Sequence, residues 1–98
     1  MLLSDMIKSF KNKETVKIYN RLYSKRLPQP TQRITMIKLW MLDAAPDINS
    51  LRVPPGNRLE LLRGIREGQY NIRIHDQWRI CFEWHSNNAY NVEITDYH

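Results

Sequence analysis

Six arginines, Arg52, Arg58, Arg63, Arg66, Arg73 and Arg79, fall in one central stretch of the chain that contains no lysine. A guanidinium is a planar fork of donors that meets a phosphate with two parallel hydrogen bonds. Arginines gathered without lysine therefore point to phosphate gripping, although a solvated basic face is the ordinary reading of charge alone. Lys8, Lys11, Lys13, Lys17, Lys25 and Lys38 lie in the first half, where a solubilising role suffices. The lone Cys81 sits in an apolar strand pattern and reads as a buried, inert thiol. It cannot make an internal disulfide, and no metal site or cofactor is expected.

The elements that must position these groups follow from periodicity. Met6 to Phe10 alternates as a short half-buried strand. From Asn12, a plausible helix cap, Ile18 with Leu22 and Tyr19 with Tyr23 predict a helix of about three turns. Pro28 and Pro30 break the chain. A second helix is predicted from about Thr31 to Ala45, with Ile34, Ile37, Met41 and Ala44 as its stripe and Met36, Leu39, Trp40 and Leu42 widening it. After the Pro54-Pro55-Gly56 loop the period becomes two. Strands are predicted at Arg58–Arg63, Tyr70–Ile74, Trp78–Trp84 and Tyr90–Ile94, the last with Tyr90, Val92 and Ile94 on one face. Short breaks at Glu67-Gly68, His75–Gln77 and Ser86–Asn88 suit hairpins. The expected fold is α+β, with two N-terminal helices packed on one face of a twisted, mainly antiparallel five-stranded sheet. Arg73 and Arg79 then point from the uncovered face, a shallow surface that suits an extended single strand of RNA. Trp40, Trp78 and Trp84 read as core residues, and His85 as a solvated histidine beside a turn.

The chain has 98 residues, 42% hydrophobic and 26% charged, with a net charge of +5. That is room for one domain over 1–98, with 1–5 as an N-terminal extension, and it favours polyanionic partners. No apolar run approaches bilayer length and the start is not a signal peptide, so a reducing cytoplasm is the expected location.

Leu51-Arg52-Val53-Pro54-Pro55-Gly56-Asn57-Arg58-Leu59-Glu60, Asp76-Gln77-Trp78-Arg79-Ile80-Cys81-Phe82 and the ending Val92-Glu93-Ile94-Thr95-Asp96-Tyr97-His98 together resemble HigB-type toxins, within the wider RelE/ParE-like superfamily. The resemblance runs from Met6 to the end of the chain. It implies a ribosome-dependent mRNA endonuclease of a type II toxin–antitoxin system. Its implied partners are a HigA-like helix-turn-helix antitoxin and the ribosome with bound mRNA, and the free toxin is expected to be monomeric. By position, Asp96, Tyr97 and His98 look like the catalytic tail and Arg79 like the phosphate-contacting arginine. Arg63 and Arg66 match basic residues flanking the cleft. Departures fall at Glu60, where some relatives carry histidine, at His75, where some carry arginine, and at Ile65, where aspartate is common.

Metal-free RNA cleavage needs a base for the 2′-hydroxyl, an acid for the leaving 5′-oxygen and cations for the transition state. In this reading His98 is one proton-transfer partner, the acid, and Glu60 or Asp96 the other. Arg79 and Arg63 bind the scissile phosphate, Tyr97 positions a base, and Arg66, Arg73 and His75 contact RNA. A regular strand would put Asp96 on the face of Ile94, so the tail must twist to reach the arginines. The alternatives are a ParE-like inhibitor of DNA gyrase and an RNA-binding module without catalysis.

Overall fold

A computed structural model describes residues 6–62 and 68–96. The first helix begins as the sequence predicts. Asn12 Oδ1 accepts from the Thr15 amide at 3.0 Å and the Thr15 hydroxyl at 2.8 Å, satisfying a donor the first turn leaves free. Thr15 Oγ1 in turn accepts from the Ile94 amide at 3.1 Å, which pins the helix to the last strand. Helix α1 (Lys13–Tyr19) is nonetheless shorter than the expected three turns. Arg21 adopts φ 66°, a left-handed conformation that cannot continue a right-handed helix. Leu22 and Tyr23 thus leave the Ile18 stripe and lie 57% and 63% exposed.

Helix α2 (Gln29–Asp43) carries Pro30 in its first turn, where a missing amide is tolerated. Its buried side corrects the expected stripe. Thr31, Gln32, Thr35, Leu39 and Leu42 face inward, whereas Ile34, Ile37 and Ala44 are exposed and Met41 is half-buried. Gln32 explains why polar residues take the core side. Its Oε1 accepts from the Ser24 amide at 2.9 Å, and its Nε2 donates to the carbonyls of Ser24 at 2.6 Å and Leu27 at 2.9 Å. A fully bonded polar side chain is at home in the interior, and here it ties down the connection between the helices.

Strands β1 (Glu60–Leu61), β2 (Gln69–Arg73), β3 (Trp78–His85) and β4 (Asn88–Asp96) form one antiparallel sheet in that order. Among the described residues the sheet has four strands, not the expected five. Residues 6–10 do follow the outer edge of β4, but they run parallel to it through two isolated bridges, Ile7 with Ala89 and Phe10 with Val92. β1 is also shorter than its expected Arg58–Arg63. Arg58 adopts φ 46° after a 3-10 turn at Pro55–Asn57, so extended backbone starts late, and Arg63 lies outside the described residues. Inward residues of both helices and of the sheet, among them Ile18, Leu39, Leu42, Ile72, Ile80, Phe82 and Val92, form one core.

Two hairpins sit where the sequence put them. Ser86 and Asn87 take φ 50° and 61°, the paired positive values of the turn that matches strand twist. A bulge then shifts the register. Cys81 pairs with Glu93 but Glu83 pairs with Tyr90, so two residues of β4 oppose one of β3, and Asn91 within it has φ 52°. Tyr90, expected beside Val92 and Ile94, is turned to the other face, and Ala89 takes the buried place opposite Trp84. Among the described residues no helix is long and apolar enough to cross a membrane.

Candidate active site

Cross-strand partners share a face of a sheet, so register alone assembles the site. Glu60 pairs with Asn71, Asn71 with Cys81 and Cys81 with Glu93. One row over, Arg73 pairs with Arg79 and Arg79 with Thr95. The alternating residues Ile72, Ile80 and Ile94 pack with the core, which leaves these two rows on the uncovered face.

Arg79 is the centre of that face. Its Nη1 lies 3.0 Å from Glu60 Oε1 and donates to Asn71 Oδ1 at 2.6 Å. The Arg79 side chain is 16% exposed and that of Glu60 55% exposed, so a fixed cation sits beneath a carboxylate that water or a ligand can reach. Asn71 is fully buried, and among the described residues its Nδ2 has no hydrogen-bond partner. Leaving such a donor unmade costs about 1–3 kcal/mol. Sequence reading missed Asn71, because nothing but strand register places it under Arg79.

A second cationic group lies at the β2–β3 hairpin. The Arg73 guanidinium donates to the Asp76 carboxylate. That hydrogen bond and the Arg73 charge hold the Asp76 carboxyl below its ordinary value, with smaller help from His75 and Arg58. Lys38 belongs here too, which enlarges the solubilising role expected of it. Burial first, and then repulsion from Arg73, lowers its ammonium from the usual lysine value, while its Nζ donates to Asn57 Oδ1. Arg73 and His75 are thus joined by Arg58 and by a lysine far away in sequence.

Asp96 stands apart from these groups. It closes β4 opposite Trp78, on the side of Ile94, and lines a cleft with Trp78, Arg26 and Glu14. The sheet lies between it and Arg79. The β4 bulge precedes Val92, so no turn toward the arginines has occurred by Asp96. Tyr97, His98, Arg63 and Arg66 lie outside the described residues. Trp40, Trp78 and Trp84 are half-buried. Trp40 donates to the Tyr19 carbonyl at 3.2 Å, and the Arg21 guanidinium stands 4.7 Å above its ring. His85 is exposed beside its turn, 3.3 Å from Glu83.

Comparison with known proteins gives these groups a context. Residues 8–98 match the family described as RelE-like toxin of type II toxin-antitoxin system HigB. Toxin HigB-1 of Vibrio cholerae is 38% identical over 90 residues, which cover 91% of this chain and 95% of that protein. Endoribonuclease HigB of Proteus vulgaris is 34% identical over 94 residues, 95% of this chain and 100% of its own. An uncharacterized protein of Haemophilus influenzae is 35% identical over 76 residues, 78% of this chain and 74% of its own.

Proposed function

The chain belongs to the HigB-like family of RelE-like toxins of type II toxin–antitoxin systems, and from that premise we propose that it is a metal-independent endoribonuclease that cuts mRNA on the ribosome. Its antitoxin is then a HigA-like helix-turn-helix protein, and its working compartment is the cytoplasm. The observation that carries this reading is Arg79, held at 3.0 Å from Glu60 and 2.6 Å from Asn71 on the uncovered sheet face. A guanidinium fixed in that way receives a phosphate without first being ordered, and so stabilises the charge that builds during transfer. The relative named Endoribonuclease HigB, matched along its whole length, supports the same chemistry.

The reaction needs no group beyond side chains. An RNA phosphate displaces the Glu60 carboxylate from Arg79 and leaves it beside the adjoining ribose. Glu60 takes the proton of the 2′-hydroxyl, whose oxygen forms a bond to phosphorus. The bond from phosphorus to the 5′-oxygen breaks, and His98 gives that oxygen its proton. The products are a 2′,3′-cyclic phosphate and a 5′-hydroxyl. Glu60 is preferred to Asp96 as base because Asp96 pairs with Trp78, across the sheet from Arg79. Asp96 then lies off the proton-transfer path. Arg63, Arg66, Arg73 and His75 hold the flanking RNA.

End analysis of RNA from a reconstituted translation reaction tests the chemistry. Cyclic phosphate ends that are lost with Glu60→Gln are expected. Ends bearing a 5′-phosphate on the downstream fragment, or unchanged cleavage by Glu60→Gln, would overturn the mechanism.

A further inference from the structure

The apolar residues along the outer side of α2 and its C-cap form a pattern of their own. Ile34, Ile37, Met41 and Ala44 are spaced three, four and three residues apart, which is the a/d repeat of a helix that pairs with another helix. Ile34 is 38% exposed and Ile37 47%, whereas Met41 is half-buried, packs against the core and accepts from Asn57 Nδ2 at 3.3 Å, so the open part of the seam is its Ile34–Ile37 end. In that repeat Arg33 precedes the first seam residue and Lys38 follows the second, the two flanking positions whose charges choose a partner, with Arg33 exposed and Lys38 half-buried and already donating to Asn57 Oδ1. Both are cations. Asp43 is the one acid of α2, and it faces elsewhere, accepting from the Tyr19 hydroxyl at 2.7 Å and the Ile7 amide at 3.0 Å.

We propose that this seam docks an amphipathic helix of the cognate antitoxin, with apolar residues at matching three–four spacing and acidic residues at its flanks. The proposal rests on membership of the toxin–antitoxin family, which requires a protein partner, and not on the nuclease assignment. Charge selects the occupant. A second copy of this chain would set the exposed Arg33 against cations on a molecule of net charge +5, whereas an acidic flank pairs with it. The open end of the seam lies on the outer side of α2, with its Lys38 flank next to the Arg73 group.

The experiment is titration of the full chain with the antitoxin encoded in the same module. It uses wild type, an Ile34→Glu/Ile37→Glu double variant, Arg33→Glu and, off the seam, Leu22→Glu. Circular dichroism reports folding, and mRNA cleavage is measured separately. The double variant is expected to stay folded, to cleave as wild type does and to bind about 100-fold or more weakly. Arg33→Glu is expected to weaken binding and reduce its salt dependence, and Leu22→Glu to leave affinity unchanged. Wild-type affinity in the double variant, or an equal loss with Leu22→Glu, would overturn the proposal. So would a wild-type homodimer that the double variant splits while antitoxin affinity holds. A failure of cleavage in all proteins alike would bear on the nuclease reading alone.

Discussion

At the scale of single residues, the account turns on how Arg79 is held. Its Nη1 serves Glu60 and Asn71 together, a geometry that a lysine ammonium on a flexible stem does not reproduce. Arg79→Ala is therefore expected to lower kcat/KM for mRNA cleavage by about 100-fold or more, and Arg79→Lys to restore only a small part. Single-turnover cleavage on programmed ribosomes checks both. Glu60→Gln separates binding from chemistry. Removal of the carboxylate that competes for Arg79 should leave mRNA binding equal or tighter, while the rate falls by roughly 100-fold. A Glu60→Gln protein with an unchanged rate would move the base elsewhere. Asn71→Ala removes one hydrogen bond but also a buried amide with no partner among the described residues, so its stability cost should stay below about 1 kcal/mol while cleavage falls. Urea unfolding and the cleavage assay together test that split. Arg79 was legible in the sequence because it follows Trp78 in an alternating strand. Asn71 was not, since its place under the guanidinium comes from pairing between strands.

At the scale of elements, regular alternation was a sound guide and its interruptions were invisible. The Trp78, Ile80, Phe82 alternation gave β3, and Ser86-Asn87 gave its turn. One bulged residue, Asn91, reversed the facing of Tyr90, and one left-handed residue, Arg21, cut α1 short. The face of α2 was misjudged for a different reason. A search for apolar stripes cannot see that Gln32 and Thr35 bury well once bonded, and so finds the outward seam instead. Caps and anchors should dominate the stability of these elements. Asn12→Ala removes the α1 cap and should cost about 1 kcal/mol, read as a fall of roughly 4–8 °C in Tm. Asn57 is fully buried, donates to the Leu51 carbonyl at 3.0 Å and accepts from Lys38. Asn57→Ala should cost more, about 2–3 kcal/mol, because the Leu51 carbonyl and the Lys38 ammonium both lose a partner.

At the scale of the whole molecule, charge governs behaviour with pH and with RNA. Hydrogen bonds from Ser24 to Glu14, from Arg73 to Asp76 and from Asn91 to Glu83 hold these three carboxyls below their ordinary values. A depressed folded value stabilises the fold above the unfolded value, and this stabilisation is lost as pH falls through the folded one. The expected outcome is a Tm that holds from neutrality down to about pH 4.5 and declines below it, with part of the decline removed in Asp76→Asn. Lys38 acts in the opposite range. Its lowered value means that the unfolded chain binds more protons at alkaline pH, so its penalty on the fold eases as pH rises. With a net charge of +5 and arginines on an open face, affinity for RNA should fall steeply with salt. The most direct test of the central claim is primer extension on a defined mRNA in a reconstituted translation system, with wild type, Arg79→Ala and His98→Ala. New 5′ ends that appear only when ribosomes are present, and vanish with both substitutions, are the predicted result. Intact mRNA from a protein that still arrests growth would contradict it.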